Sequence, residues 1–157
     1  MMLMPGTQTA EWDGRLPPPS GSEPFTQPPK RRQRHRRNAQ RTALLVEADP
    51  AARRICMAAL SSSGFAVSCV ESGIAAVAAA REAPPELIVI DFQLPDVPWR
   101  VAICWLRSNP VLRSTPILVL SARSLEDLDL SSMQPLALIR KPLSEERVRE
   151  GMATILR

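Results

Sequence analysis

Histidine and cysteine are scarce in this chain. The one histidine, His35, sits inside an arginine-rich run near the start, so the apolar body has none to offer for catalysis or metal binding. Cys56, Cys69 and Cys104 lie far apart within apolar segments and form no C-x-x-C pair, which argues against a disulfide framework and a zinc site. All three are expected to be buried small hydrophobes in a reducing compartment. No apolar run reaches about 18 residues, and the first ten residues lack the basic and continuously apolar regions of a signal peptide. A cytoplasmic protein that does not enter the membrane is expected. The absence of a G-x-G-x-x-G fingerprint and of a P-loop argues against a nucleotide-dependent or hydride-transfer enzyme.

What is present fits one ordinary domain: 157 residues, 45% of them apolar. The net charge of +4 is unevenly placed. Residues 1–41 hold eight Lys/Arg against three acids, and residues 42–157 hold twelve against thirteen. The first segment carries Pro17-Pro18-Pro19, Pro28-Pro29 and the run from Lys30 to Arg37, with almost no periodic apolar residues. Such a segment cannot bury enough surface to offset the entropy of ordering, so residues 1–41 are expected to form a disordered basic tail. Contact with nucleic acid through the basic run competes with a solvated tail of no specific role. The second is preferred, because no aromatic side chains interleave the basic residues.

From Thr42 apolar runs alternate with helical patterns. Ala43 to Glu47, Phe65 to Val70, Leu87 to Ile90, Ile117 to Leu120 and Leu136 to Ile139 read as strands, apolar enough to be covered on both faces. Ala52, Ile55, Cys56, Ala59 and Leu60 form a helical stripe, punctuated by Asp49 as N-cap, Pro50 at the first turn and Gly64 past the end. Further helices are expected over Ile74 to Glu82, along the Trp99, Ala102, Ile103 and Leu106 stripe, near Ser124 to Met133 with Ser124 and Asp127 as a capping box, and along Val148, Gly151, Met152, Ile155 and Leu156. This alternation specifies an α/β fold: a doubly wound, five-stranded parallel sheet with helices on both faces.

In such a sheet, ligands sit beyond the carboxyl ends of the strands. Strand 1 ends in Glu47-Ala48-Asp49, strand 3 in Asp91, strand 4 in Ser121 and strand 5 in Lys141-Pro142; only the second strand end lacks a polar group in this reading. Carboxylates from neighbouring strands give hard oxygen ligands suited to Mg²⁺. A lysine and a hydroxyl beside them would neutralise and hydrogen-bond a transferring phosphoryl group. Each residue alone would read as a loop cap or a solvated charge. Four at four strand ends read as a phosphoryl-accepting site.

Residues 42–157 resemble the receiver domain of two-component response regulators. The resemblance is carried by Leu87-Ile88-Val89-Ile90-Asp91-Phe92-Gln93-Leu94-Pro95, by the segment from Leu106 to Ala122 ending in Ser121-Ala122, and by Arg140-Lys141-Pro142-Leu143. It implies a CheY-like strand order 2-1-3-4-5, with Asp91 as phospho-acceptor. Ser121 would follow the phosphoryl group, and Lys141 would be the ion-pair partner. Glu47, Asp91 and the backbone carbonyl of Gln93 would be the Mg²⁺ ligands, and Pro142 would follow a cis peptide. The implied partner is a histidine kinase or histidine phosphotransfer protein, with a homodimer through the last helices as a further option. The implied role is signalling by protein contact as a stand-alone receiver, with at most self-directed phosphoryl transfer.

The chain departs from the family pattern at four places, one of them the segment from Ser121 to Lys141, which is about two residues shorter than usual and lacks the Gly-Ala before strand 5, so that a short or distorted fourth helix is expected. Ala48 stands where the second strand-1 acid, a direct metal ligand, is usual. Losing even an outer-shell partner costs about tenfold to a hundredfold in metal affinity, so weak Mg²⁺ binding is expected. Pro98-Trp99 replaces the usual Asp-Gly, with Trp99 starting the core stripe of its helix. Leu138 replaces the usual aromatic switch residue and is expected to fill the same pocket. Ala48 and Leu138 together motivate an alternative: a pseudo-receiver that docks in one fixed state, independent of phosphorylation.

Overall fold

Five parallel strands, β1 (Arg41–Val46), β2 (Phe65–Val70), β3 (Leu87–Asp91), β4 (Ile117–Ser121) and β5 (Leu136–Arg140), form one sheet in the order β2-β1-β3-β4-β5. The computed structural model describes residues 40–123 and 130–157. The expected tail therefore lies outside the described residues, except for Gln40 and Arg41. Arg41 already belongs to β1: it pairs with Phe65, and its guanidinium carbon lies 4.5 Å from the centre of the Phe65 ring.

The apolar run starts β1 two residues late and ends it one residue late. Glu47 lies beyond the strand, with its carboxylate engaged by the Asp49 N–H and by Lys141. Strands β3, β4 and β5 each extend one residue past the apolar run, because Asp91, Ser121 and Arg140 still pair in the ladder, Asp91 with Leu120 and Ser121 with Arg140. Only β1, β3 and β4 have covered interiors on both faces. The outer strands β2 and β5 are part-exposed, as edge strands must be.

Helix α1 (Pro50–Ser62) starts where expected: Asp49 is the N-cap and its Oδ2 accepts from the Ala52 N–H at 2.7 Å, with Pro50 following. Just past its Ser63 C-cap stands Gly64, whose φ of 87° suits a residue without Cβ. Ser72 caps α2 (Gly73–Glu82), and Ser144 caps α4 (Glu145–Ile155). Helix α3 (Trp99–Ser108) has no side-chain cap at Pro98, and its first residue, Trp99, is buried.

The expected helix near Ser124 to Met133 is corrected in part. Its capping box lies outside the described residues, and Ser131–Met133 form a single 3-10 turn. Leu138 is also corrected: its side chain is 37% exposed on an edge strand and fills no core pocket. Of the cysteines, Cys56 is buried, Cys69 is half-buried and Cys104 is exposed, because Cys104 lies off the Trp99, Ala102, Ile103 and Leu106 stripe that α3 turns inward.

Alternation along the strands divides the core. Leu44, Val46, Ile88, Ile90, Ile117 and Val119 pack with α2 and α3 on one face, while Ala43, Leu45, Leu87, Val89, Leu118 and Leu120 pack with α1 and α4 on the other. Gly151 lets α4 approach the sheet: a Cβ there would stand 2.6 Å from Ile139 Cδ1 and 3.0 Å from Leu118 Cδ1. At the opposite end from the polar strand termini, Arg107 ties three segments together. Its Nη1 donates to the carbonyls of Leu112 (2.7 Å) and Thr115 (2.6 Å), and its Nη2 to those of Met133 (3.2 Å) and Pro135 (2.9 Å). Burial pushes the guanidinium pKa down. Among the described residues no helix is long and apolar enough to cross a membrane.

Candidate functional site

The sheet brings Glu47, Asp91, Ser121 and Lys141 to its carboxyl rim. β1 and β3 are adjacent, so Glu47, one residue beyond β1, and Asp91, the last residue of β3, come together. Both side chains are buried, at 1% and 5% exposure for the residues. Lys141, just past β5, reaches back across β4 and places its Nζ 3.2 Å from Glu47 Oε2 and 3.0 Å from Asp91 Oδ1. One ammonium thus bridges two carboxylates. Its backbone is fixed by donation from the Lys141 N–H to the Ser121 carbonyl at 2.8 Å, and the Lys141–Pro142 peptide is cis.

Burial pushes the Glu47 carboxyl above its ordinary pKa. The Asp91 charge adds to this, while the Asp49 N–H and the Lys141 ammonium work against it without cancelling it. Burial alone would push Lys141 down, but its hydrogen bond to Asp91 and the charges of Asp91 and Glu47 outweigh that and raise its pKa. The thiol of Cys56, buried on α1, is pushed up to about 12 by burial and then by the charge of Glu47, so it is inert as a nucleophile. Ser121 is fully buried, and its Oγ closes on its own turn, donating to the Arg123 carbonyl (2.9 Å) and accepting from the Arg123 N–H (3.0 Å).

Three members of this rim are not apparent from the motifs. Arg53 on α1 donates from Nη2 to the Ala48 carbonyl at 3.1 Å and pairs with Glu71 at 2.8 Å, so the second strand is also followed by a charged group. Asp96, in the loop after Asp91, receives the N–H groups of Gly73 (2.9 Å), Ile74 (2.8 Å) and Val97 (3.0 Å). The loop from Phe92 to Pro98 lines an open cleft of about 490 Å³, and its ends are joined by Phe92 and Trp99, whose ring centroids are 5.5 Å apart.

For a divalent cation the donor set is sparse but of the right kind. Glu47 and Asp91 offer hard carboxylate oxygens, and Mg²⁺ commonly takes only one or two carboxylates together with waters. Ala48 adds no side-chain oxygen, Asp49 is committed to capping α1, and among the described residues no group of three or more His, Cys, Asp or Glu gathers to hold a metal. The residues fit Mg²⁺ as a two-carboxylate site shared with a lysine.

The family model described as response regulator receiver domain matches residues 43–153. The polar-differentiation response regulator DivK of Brucella ovis is 28% identical over 118 residues, covering 74% of this chain and 96% of DivK. Among solved structures, the receiver domain of a sensor histidine kinase of Pseudomonas aeruginosa, with a magnesium ion coordinated in its active site cleft, is 28% identical with a TM-score of 0.66, covering 76% of this chain and all of that one. The chemotaxis response regulator CheY4 of Vibrio cholerae shares the fold at 19% identity and a TM-score of 0.69, over 74% of this chain and 98% of its own.

Proposed function

Because the chain belongs to the response regulator receiver domain family of two-component signalling, we propose that it accepts a phosphoryl group on Asp91 from a histidine kinase or histidine phosphotransfer protein in the cytoplasm, and signals by protein contact. The single observation that carries this reading is the Lys141 ammonium bridging Glu47 and Asp91. With Oδ1 of Asp91 held by Lys141, Oδ2 attacks phosphorus. The P–N bond of the donor histidine breaks, its electron pair returns to the imidazole, and the acyl phosphate forms. Lys141 neutralises the phosphoryl oxygens, and Ser121 leaves Arg123 to hydrogen-bond one of them. Asp91, the Gln93 carbonyl and Glu47 would hold a weakly bound Mg²⁺, which would supply positive charge at the site. On this reading the chain is a signalling domain rather than a classical enzyme.

The test is intact-mass analysis after incubation with Mg²⁺ and acetyl phosphate. One added phosphoryl group on the wild type and none on Asp91→Asn supports the reading; no adduct with acetyl phosphate or any cognate kinase removes it. A second reading, a fixed-state docking module, is favoured by Ala48 and by the exposed Leu138. It requires Asp91→Asn to retain activity in vivo.

A further inference from the structure

The loop after Asp91 is fastened from outside itself. Asp96 uses Oδ1 for the N–H groups of Gly73 and Val97 and Oδ2 for that of Ile74. Slight burial works against ionisation of this carboxyl, but the N–H groups of Ile74 and Gly73 outweigh it and hold the pKa below the usual range. These bonds reach across 22 and 23 residues of sequence, from the loop to the first turn of α2. The helix does not depend on them for its cap, because Ser72 already accepts from the Ala75 N–H at 3.2 Å.

Packing reinforces the tether. A Cβ on Gly73 would stand 2.5 Å from Val97 Cγ2 and 3.1 Å from Leu94 Cδ1, so the loop lies directly against the helix where only glycine leaves room. At its other end, Phe92 packs at a tilt of 37° against Trp99, the first residue of α3. Gln93 lies between these two anchors.

We propose that Asp96 is a positioning residue that, by fastening the loop Gln93–Pro98 to the start of α2, fixes the Gln93 carbonyl relative to Asp91 and offsets part of what the missing acid at Ala48 removes. This rests on reading Asp91 and Gln93 as the metal-binding pair of a phospho-acceptor site. Asp96 touches neither metal nor phosphoryl group; it acts through the backbone of the loop, as an outer support of a ligand does.

The experiment compares the full-length wild type with Asp96→Ala, Asp96→Asn and Ser72→Ala. The readouts are Mg²⁺ affinity by calorimetric titration, amide exchange of Gly73 and Val97, and thermal stability. Ser72→Ala weakens the same helix start without touching the loop. The expected result is a loss of Mg²⁺ affinity of about tenfold or more in Asp96→Ala, with faster amide exchange, and partial recovery in Asp96→Asn, which keeps one oxygen acceptor. Ser72→Ala should lower thermal stability and leave Mg²⁺ affinity at the wild-type value. The proposal is overturned if Asp96→Ala binds Mg²⁺ like the wild type, if Ser72→Ala weakens Mg²⁺ as much, or if the wild type takes up no Mg²⁺. A wild type that binds Mg²⁺ yet forms no phosphoryl adduct would end the phospho-acceptor reading and leave the role of Asp96 standing.

Discussion

Lys141 Nζ lies 3.2 Å from Glu47 Oε2 and 3.0 Å from Asp91 Oδ1, so a single cation serves two buried carboxylates. Burial, and then the Asp91 charge, nevertheless raise the Glu47 pKa, because the Asp49 N–H and Lys141 do not cancel them.

That imbalance sets a pH dependence. A carboxyl whose folded pKa is raised above its ordinary value of 4.5 contributes stability that is fully present below 4.5 and is lost as pH rises through the folded pKa. Glu47→Gln removes the buried charge and keeps an oxygen for the Asp49 N–H. At neutral pH it should melt at or above the wild-type temperature, and any advantage should vanish as pH falls toward 4.5. Melting curves across this range check it; a Glu47→Gln variant markedly less stable at neutral pH would contradict the assigned direction.

Restoring the second acid should strengthen metal binding and weaken the metal-free fold. Ala48→Asp adds a direct oxygen donor, for which a gain in Mg²⁺ affinity of at least about tenfold to a hundredfold is expected. It also adds a negative charge beside Glu47 and Asp91, so the melting temperature without Mg²⁺ should fall. Unchanged Mg²⁺ affinity in a titration of both proteins would show that position 48 does not face the metal.

The alternation of apolar strands with capped helices made the sheet readable, because strand period, Asp49-Pro50 and Gly64 are local signals. That Asp91, Ser121 and Lys141 lie at one rim was readable for a similar reason: in a parallel sheet every strand's carboxyl end meets the same edge, so a strand assignment was enough. What escaped were contacts formed across the chain. The Asp96 bonds to α2, the Arg53–Glu71 pair and the four carbonyls on Arg107 join residues with no shared period. Leu138 was misjudged because edge position, which exposes it, is set by strand order rather than by its own apolar neighbours.

Arg107 should resist replacement by lysine. A point ammonium cannot reproduce a planar fork that serves Leu112, Thr115, Met133 and Pro135 together. Leaving even one or two buried carbonyls unpaired costs about 1–3 kcal/mol each. Arg107→Lys should therefore lose about 2 kcal/mol in urea unfolding. A loss under about 0.5 kcal/mol, the level of an ordinary surface change, would count against the tether.

Gly151 offers a case where helix propensity and packing oppose. Alanine is worth about 1 kcal/mol more than glycine inside a helix, yet its Cβ would stand 2.6 Å and 2.8 Å from Ile139 Cδ1 and Cγ1. Overpacking of this kind costs about 1–3 kcal/mol. Gly151→Ala should be net destabilising by about 1 kcal/mol and Gly151→Val by more, measured by denaturant unfolding. A stabilised Gly151→Ala would mean that Ile139 moves aside freely.

The Ser121 hydroxyl spends both its hydrogen and a lone pair on the same neighbouring residue, Arg123. Two such bonds, each worth about 0.5–1.5 kcal/mol net, amount to a ring that must open before the hydroxyl can turn toward Asp91. On the proposed reading, a group at Asp91 turns the hydroxyl only where it offers a stronger acceptor than the Arg123 carbonyl.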